Sequence, residues 1–443
     1  MTLLQSKNIK IFLSYVVPSM ISMLIIGSYS IVDSIFIGQS GGSVGLAAVA
    51  ITWPLVMLFG AFGDMFGTGA AILISRARGE GNVNPAKKFL GAMFVIQIIF
   101  GFLLVVFFLN CLEDILILFG ATNDLLPISV PYADILIYGG IPCMLLIGTS
   151  SVLRNDGRPV LAMWLMIIGL LMNITLDYIL MFPCNMGVKG AAWATFISQF
   201  VMFIVQLSYF GTSFTQLKIS RQMFRIKVDD IKKVIINGIP SLGNQLAIIS
   251  MLFLHNYQSL RYGQVDGLAV YTFIGAIESL GSLLLTGLSL GVQPLVSYLF
   301  GAKKYKRQNI IGNMGYYTAF GLGLLLMLIS ILGCNIFPAW FNLHGDVAKM
   351  ASHGLVISST AFILLGVIRV AGYYYQATGK IKISSSLIYG DAFVVMPLCL
   401  FILPLFFGLD GVWLAMPISR VILFVFVCYL WFGKRCRTNY EKR

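Results

Sequence analysis

The stretch IFLSYVVPSMISMLIIGSYSIV, residues 11–32, runs for 22 positions without a charged side chain. At about 1.5 Å per helical residue such a run crosses a hydrocarbon core roughly 30 Å thick. Comparable apolar runs occupy residues 90–109 and 161–181, and others recur almost end to end along the 443-residue chain. The whole sequence is 58% hydrophobic and 11% charged, whereas soluble domains carry about one charged residue in four. The bilayer is therefore the solvent for most of this chain, and a soluble fold is excluded. Lys7 and Lys10 precede the first run as they would in a signal peptide. The run is long, however, and no small-x-small cleavage site follows it, so it reads as a retained first helix.

Apolar periodicity divides the chain into twelve helices near residues 11–33, 45–75, 88–109, 128–151, 160–181, 188–211, 234–260, 267–300, 311–337, 351–374, 382–406 and 411–433. The net charge of +13 would suggest nucleic acid in a soluble protein. Here the basic residues sit in alternate connections. The N-terminus, the loops holding Arg76 to Lys88 and Arg154 to Arg158, the stretch Lys218 to Lys233, the loops holding Lys303 to Arg307 and Lys380 to Lys382, and the tail from Lys434 hold 25 of the 30. Short cytoplasmic loops carry the Lys/Arg excess, so topology accounts for the charge, both termini face the cytoplasm, and no nucleic-acid partner is expected. The seven cysteines are scattered, with no C-x-x-C pair and no histidine at metal-ligand spacing, and read as small core residues.

The chain also repeats itself at an offset of 222 residues. Pro18-Ser19 falls on Pro240-Ser241, Gly45-Leu46-Ala47 on Gly267-Leu268-Ala269, Gly69 on Gly291, Ser75 on Ser297, Gly79 on Gly301 and Gly157 on Gly379. After a one-residue slip, Gly187-x-x-Gly190 matches Gly408-x-x-Gly411. Six helices per repeat insert both halves the same way round, so a pseudo-two-fold axis along the membrane normal relates them. The expected fold is an all-α membrane protein of two six-helix lobes, residues 1–217 and 234–443, joined by a cytoplasmic linker at 218–233. Two-lobed repeat proteins of this kind place substrate and coupling ions near mid-membrane and rock their lobes to give alternating access.

With Pro18 and D-S-I-F-I-G (from Asp33) on the first helix, R-N-D-G-R-P (from Arg154), N-I-T-L-D-Y (from Asn173), G-V-K-G-A-A-W-A-T (from Gly187) and G-V-Q-P (from Gly291), the sequence resembles the MATE (multidrug and toxic compound extrusion) transporters through both halves. In one branch of that family a proton or cation site is built in the first half from an acid on the first helix, an Asn and an Asp on the fifth, and a Thr on the sixth. The resemblance carries these roles to Asp33, Asn173, Asp177 and Thr195, with H⁺ or Na⁺ as coupling ion and no other cofactor. Another branch uses an acid on the seventh helix. Residues 238–251 contain none.

Physical chemistry weighs the same residues independently. A carboxylate at mid-membrane costs at least about 2.5–3.5 kcal/mol, so such acids usually face the bundle interior and act there. Asp33, Asp64, Asp134, Asp177, Glu278 and Asp391 all fall within the expected spans. Asn173 and Asp177 are four residues apart and share a helical face. Amide, carboxylate and hydroxyl oxygens suit Na⁺, while a carboxyl group without water favours its protonated form and can carry a proton; alternatively Asp177 only hydrogen-bonds neighbouring helices. Pro18 frees a backbone carbonyl and permits a hinge, or sets a static kink. The repeat places His255 opposite Asp33, where it either titrates in a second-lobe site or is a satisfied core residue. Glu278 and Asp64 are candidates for a substrate or second-lobe site. Asp391 and Arg420 are expected to form a structural pair, and Arg369 to snorkel.

No H-E-x-x-H, Walker A or intramembrane aspartyl-protease motif occurs, so the reading is not an enzyme. It is a monomeric multidrug exporter of the plasma (inner) membrane, in contact with membrane lipids and exchanging H⁺ or Na⁺ for small drugs or organic cations. One alternative is a flippase for a lipid-linked precursor, which would need a cationic cavity open sideways to lipid. Another is a non-transporting membrane sensor, which would need neither the repeat nor the buried acids.

Overall fold

The computed structural model describes residues 7–440, with side chains for residues 7–429 except Gln222. Cys436 and the basic tail from Lys434 lie outside the described side chains. Among the described residues there is no strand. Fourteen helices follow one another: α1 (Asn8–Gly79), α2 (Val83–Leu118), α3 (Leu126–Tyr138), α4 (Gly140–Asn155), α5 (Pro159–Met181), α6 (Val188–Tyr209), α7 (Val228–Gly301), α8 (Tyr305–Gly333), the short α9 (Phe337–Trp340), α10 (Gly345–Ser359), α11 (Phe362–Ala377), α12 (Ile381–Gly390), α13 (Met396–Phe407) and α14 (Leu409–Tyr440). A 3-10 turn, Arg221–Phe224, precedes α7, and a π-turn, Asp391–Val395, joins α12 to α13. Eight helical stretches are long and apolar enough to cross a membrane, and ten when the bent pairs α3–α4 and α10–α11 each count as one span. The chain is a multi-pass membrane protein.

The sequence reading leaves a connection between residues 33 and 45. In the structure two helices meet there almost end to end, with the break inside that connection at Gly42. α1 has 72 residues and α7 has 74, each interrupted at a single residue, Gly42 (φ 58°, ψ −155°) and Gln264 (φ 52°, ψ −147°). The break falls within Q-S-G-G-S (from Gln39), where one residue leaves the helical region. Gly42 and Gln264 are 222 residues apart, and the agreement continues elsewhere. Left-handed residues recur in the same register at Gly81 and Lys303, Gly120 and Asn342, and Gly157 and Gly379, and after the slip at Gly187 and Gly408. The repeat is thus written in the backbone as well as in side chains.

By packing, the chain divides into two units whose limits differ from the repeat. One comprises the chain up to Met20, Gly243–Val296 and Lys306 onward; the other comprises Ile21–Leu242 and Ser297–Tyr305. In the second unit α6 packs on α3, α4 and α5, and a side chain at Gly190 would press to 2.9 Å on the backbone of Leu180. In the first unit α14 packs on α10, α11 and α13. The early turns of α1 join it where Gly287 and Gly291 admit the backbone of Met20 and Val16.

Candidate functional site

The unit spanning Ile21–Leu242 buries a polar cluster built from four helices. α1 supplies Tyr29 and Asp33, one turn apart; α5 supplies Asn173 and Asp177, also one turn apart; α6 supplies Thr195 and Ser198; α3 supplies Tyr132. The Tyr29 hydroxyl lies 2.9 Å from Thr195 Oγ1, and Ser198 Oγ donates to the Thr195 carbonyl at 3.0 Å. Asp33 and Asp177 are within electrostatic reach of each other, and Tyr132 is within reach of both. The structure therefore brings together all four residues named from the sequence and adds Tyr29, Tyr132 and Ser198. Tyr29 was legible as the residue one turn before Asp33, but a tyrosine in an apolar run carries no signal of its own.

This cluster is buried. Asp177 is 0% exposed and Asn173 1%. Both oxygens of Asp177, Oδ1 of Asp33 and Nδ2 of Asn173 are buried without a hydrogen-bond partner. A charged carboxylate in that state costs several kcal/mol and needs a compensating cation or proton. Two carboxylates, an amide and a hydroxyl supply hard oxygen donors for Na⁺, or a carboxyl pair for a proton.

The remaining candidates lie elsewhere. Asp64, partly buried, accepts a hydrogen bond from Thr68 Oγ1 at 2.7 Å and has Arg154 within electrostatic reach. In the unit from Gly243 onward, His255 Nδ1 lies 2.8 Å from the Met251 carbonyl, and its ring stacks on Tyr271 at 5.0 Å. Its contacts are those of a satisfied core residue. Asp391, the first residue of the π-turn, is ion-paired with Arg420; Glu278 and His255 lie within electrostatic reach of the same guanidinium. Arg369 does not snorkel. Its guanidinium donates to the Ser282 carbonyl, Ser282 Oγ and Thr286 Oγ1, because α7 offers it polar partners within reach. Pro18 sits in unbroken helix, two residues before the packing limit at Met20.

A doubled helical bundle that hides unpaired acids within a membrane belongs to the class of two-repeat membrane carriers. Comparison with known proteins narrows this. The MatE profile matches residues 18–179 and again 240–401, starting 222 residues apart, and this chain belongs to that family. Multidrug export protein MepA of Staphylococcus saprophyticus subsp. saprophyticus is 25% identical over 94% of this chain and 92% of its own length. A multidrug resistance MATE family transporter of the MOP superfamily, in an outward-facing conformation, superposes with a TM-score of 0.90 at 22% identity, covering 100% of this chain and 98% of the other. MATE in the bent conformation superposes at 0.91 and 22%, covering 99% and 98%.

Proposed function

We propose that this protein is a secondary exporter of small amphipathic molecules, drugs or organic cations among them, driven by inward movement of H⁺ or Na⁺ and performing no covalent chemistry. The observation that carries the reading is the carboxylate pair Asp33 and Asp177, with both Asp177 oxygens and Asp33 Oδ1 buried without a hydrogen-bond partner, set with Asn173 and Thr195 in one buried cluster. An ion entering there compensates the buried charge and favours one conformation; cargo favours the other, and exchange follows from that differential affinity. The names of the MepA relatives support multidrug cargo.

Taking α1 and α7 as two crossings each, and α12 with α13 as one, gives twelve spans, six per repeat. Both termini and the linker at 218–233 then share the cytoplasmic side of the plasma membrane, in agreement with the basic loops. One chain suffices for the cycle. Pro18, where a helical carbonyl lacks its donor, is the hinge by which the first part of α1 follows the charge state of Asp33. Glu278, within electrostatic reach of Arg420 and Tyr271, offers a second-lobe contact for cationic cargo, and Asp64 a further one.

Ethidium efflux from cells or inverted vesicles, under pH and Na⁺ gradients imposed separately, tests the reading. Wild type should extrude ethidium under one of the two gradients, which names the ion, and Asp177→Asn should lose gradient-driven efflux while still inserting in the membrane. Undiminished efflux in Asp177→Asn would remove coupling from this cluster and move it towards Glu278 and His255.

A further inference from the structure

The connection between α6 and α7, residues 210–227, is tied down along its inner side. Asp156, itself ion-paired to Arg78 at 3.0 Å, accepts hydrogen bonds from Tyr209 and Thr215, both at 2.7 Å. The Thr215 hydroxyl accepts from the Leu217 N–H at 2.9 Å, and the Ile219 N–H donates to the Phe210 carbonyl at 3.0 Å. Leu217 and Met223 are buried, and the backbone of Met223 seats on Gly91 of α2, where any side chain would collide with it.

The outer side is different. Phe214, Phe224 and Val228 are 72%, 68% and 70% exposed, and Ile219 is exposed beside them. Among these stand Lys218, Arg221, Arg225 and Lys227, all exposed and in no ion pair among the described residues. The nearby acids are engaged locally, Asp229 with Lys233 at 2.6 Å and Asp230 with the Lys227 N–H at 3.0 Å. Topology requires basic residues in such a loop. It does not require large apolar side chains held outward between them on a fixed backbone.

We infer that this connection is a docking platform for anionic phospholipid headgroups, its apolar side chains entering the interface and its basic ones meeting the phosphates. The segment joins two membrane-crossing helices, so the headgroup layer lies at its level. Interleaved basic and apolar residues are what an anionic lipid surface binds. Because the inner side is tied down, the backbone of the platform is already placed, and binding orders only its side chains.

The test uses the full chain in detergent, with thermal unfolding followed as phosphatidylglycerol or phosphatidylcholine is added at low and high salt. Wild type should prefer phosphatidylglycerol, and Lys218→Gln, Arg221→Gln, Arg225→Gln and Lys227→Gln together should reduce that preference by about tenfold or more. Phe224→Ser should weaken binding of both lipids. Neutralising Lys303, Lys304 and Lys306, in a loop of similar charge, should leave the preference unchanged. Equal loss from both loops would show a response to bulk charge and overturn the proposal. So would stabilisation by inorganic phosphate alone, or a linker variant with wild-type preference.

Discussion

The two repeats hold different chemistry at matching residues. Where the first has Tyr29 and Asp33, the second has Met251 and His255, and the acid-phenol pair becomes a thioether and an imidazole bonded to a backbone carbonyl. Tyr29 holds Thr195 by one hydrogen bond, and Thr195 is the hydroxyl donor of the proposed ion site. Removing that bond with Tyr29→Phe costs about 1 kcal/mol of positioning, or roughly fivefold in the ion concentration that gives half-maximal efflux. His255→Gln should leave that concentration unchanged. Efflux measured across a series of Na⁺ and H⁺ concentrations checks both, and an unmoved Tyr29→Phe curve would take the phenol out of the site. Asp33 and Asp177 stand out in the sequence because acids in apolar spans are costly, and Asn173 because it shares a helical face with Asp177; Thr195 is named only through the family resemblance. Tyr132 and Ser198 could not be named, since tyrosine and serine are common in such spans and only helix packing shows which way they face.

At the scale of elements, the helices and the places where α1 and α7 break were legible from apolar periodicity, while the tightness of each break, a single residue, was not. Q-S-G-G-S reads as a loop, and in the second repeat Y-G-Q-V-D (from Tyr262) offers a glycine one residue before the break. The residue that turns is Gln264, in a region of φ and ψ that is close to glycine-only and costs a side chain about 1–3 kcal/mol. Its mate Gly42 adopts the same conformation without that cost. Gln264→Gly should therefore raise the unfolding temperature in detergent, and Gly42→Gln lower it, each by the equivalent of about 1–2 kcal/mol. The opposite signs from one backbone position in two repeats make the comparison internal. If Gln264→Gly is destabilising, its side chain makes a contact worth more than the strain, and the equivalence of the two breaks fails.

For the whole molecule the question is how much charge crosses the membrane per cycle. Asp33 and Asp177 lie within electrostatic reach of one another in a buried cluster, and each has buried oxygen without a hydrogen-bond donor. Such a pair sustains at most one uncompensated negative charge, since a second would add like-charge repulsion to the cost of burial. On the proposed reading the cluster alternates between a singly charged and a neutral state, one ion per turnover. Exchange of one H⁺ or Na⁺ for a monovalent organic cation then moves no net charge, and its rate and final gradient should not respond to membrane potential. Export of an uncharged cargo moves one charge inward, and 100 mV supplies about 2.3 kcal/mol, enough for a cargo gradient of roughly fiftyfold. Proteoliposomes clamped with potassium and valinomycin separate the two cases. Ethidium should accumulate equally at zero and at 100 mV under the same ion gradient, and a neutral dye should follow the voltage. Voltage-dependent ethidium movement would mean that two ions enter per cycle, and the second would then need a site outside this cluster, with Glu278 beside Arg420 the first place to test by Glu278→Gln.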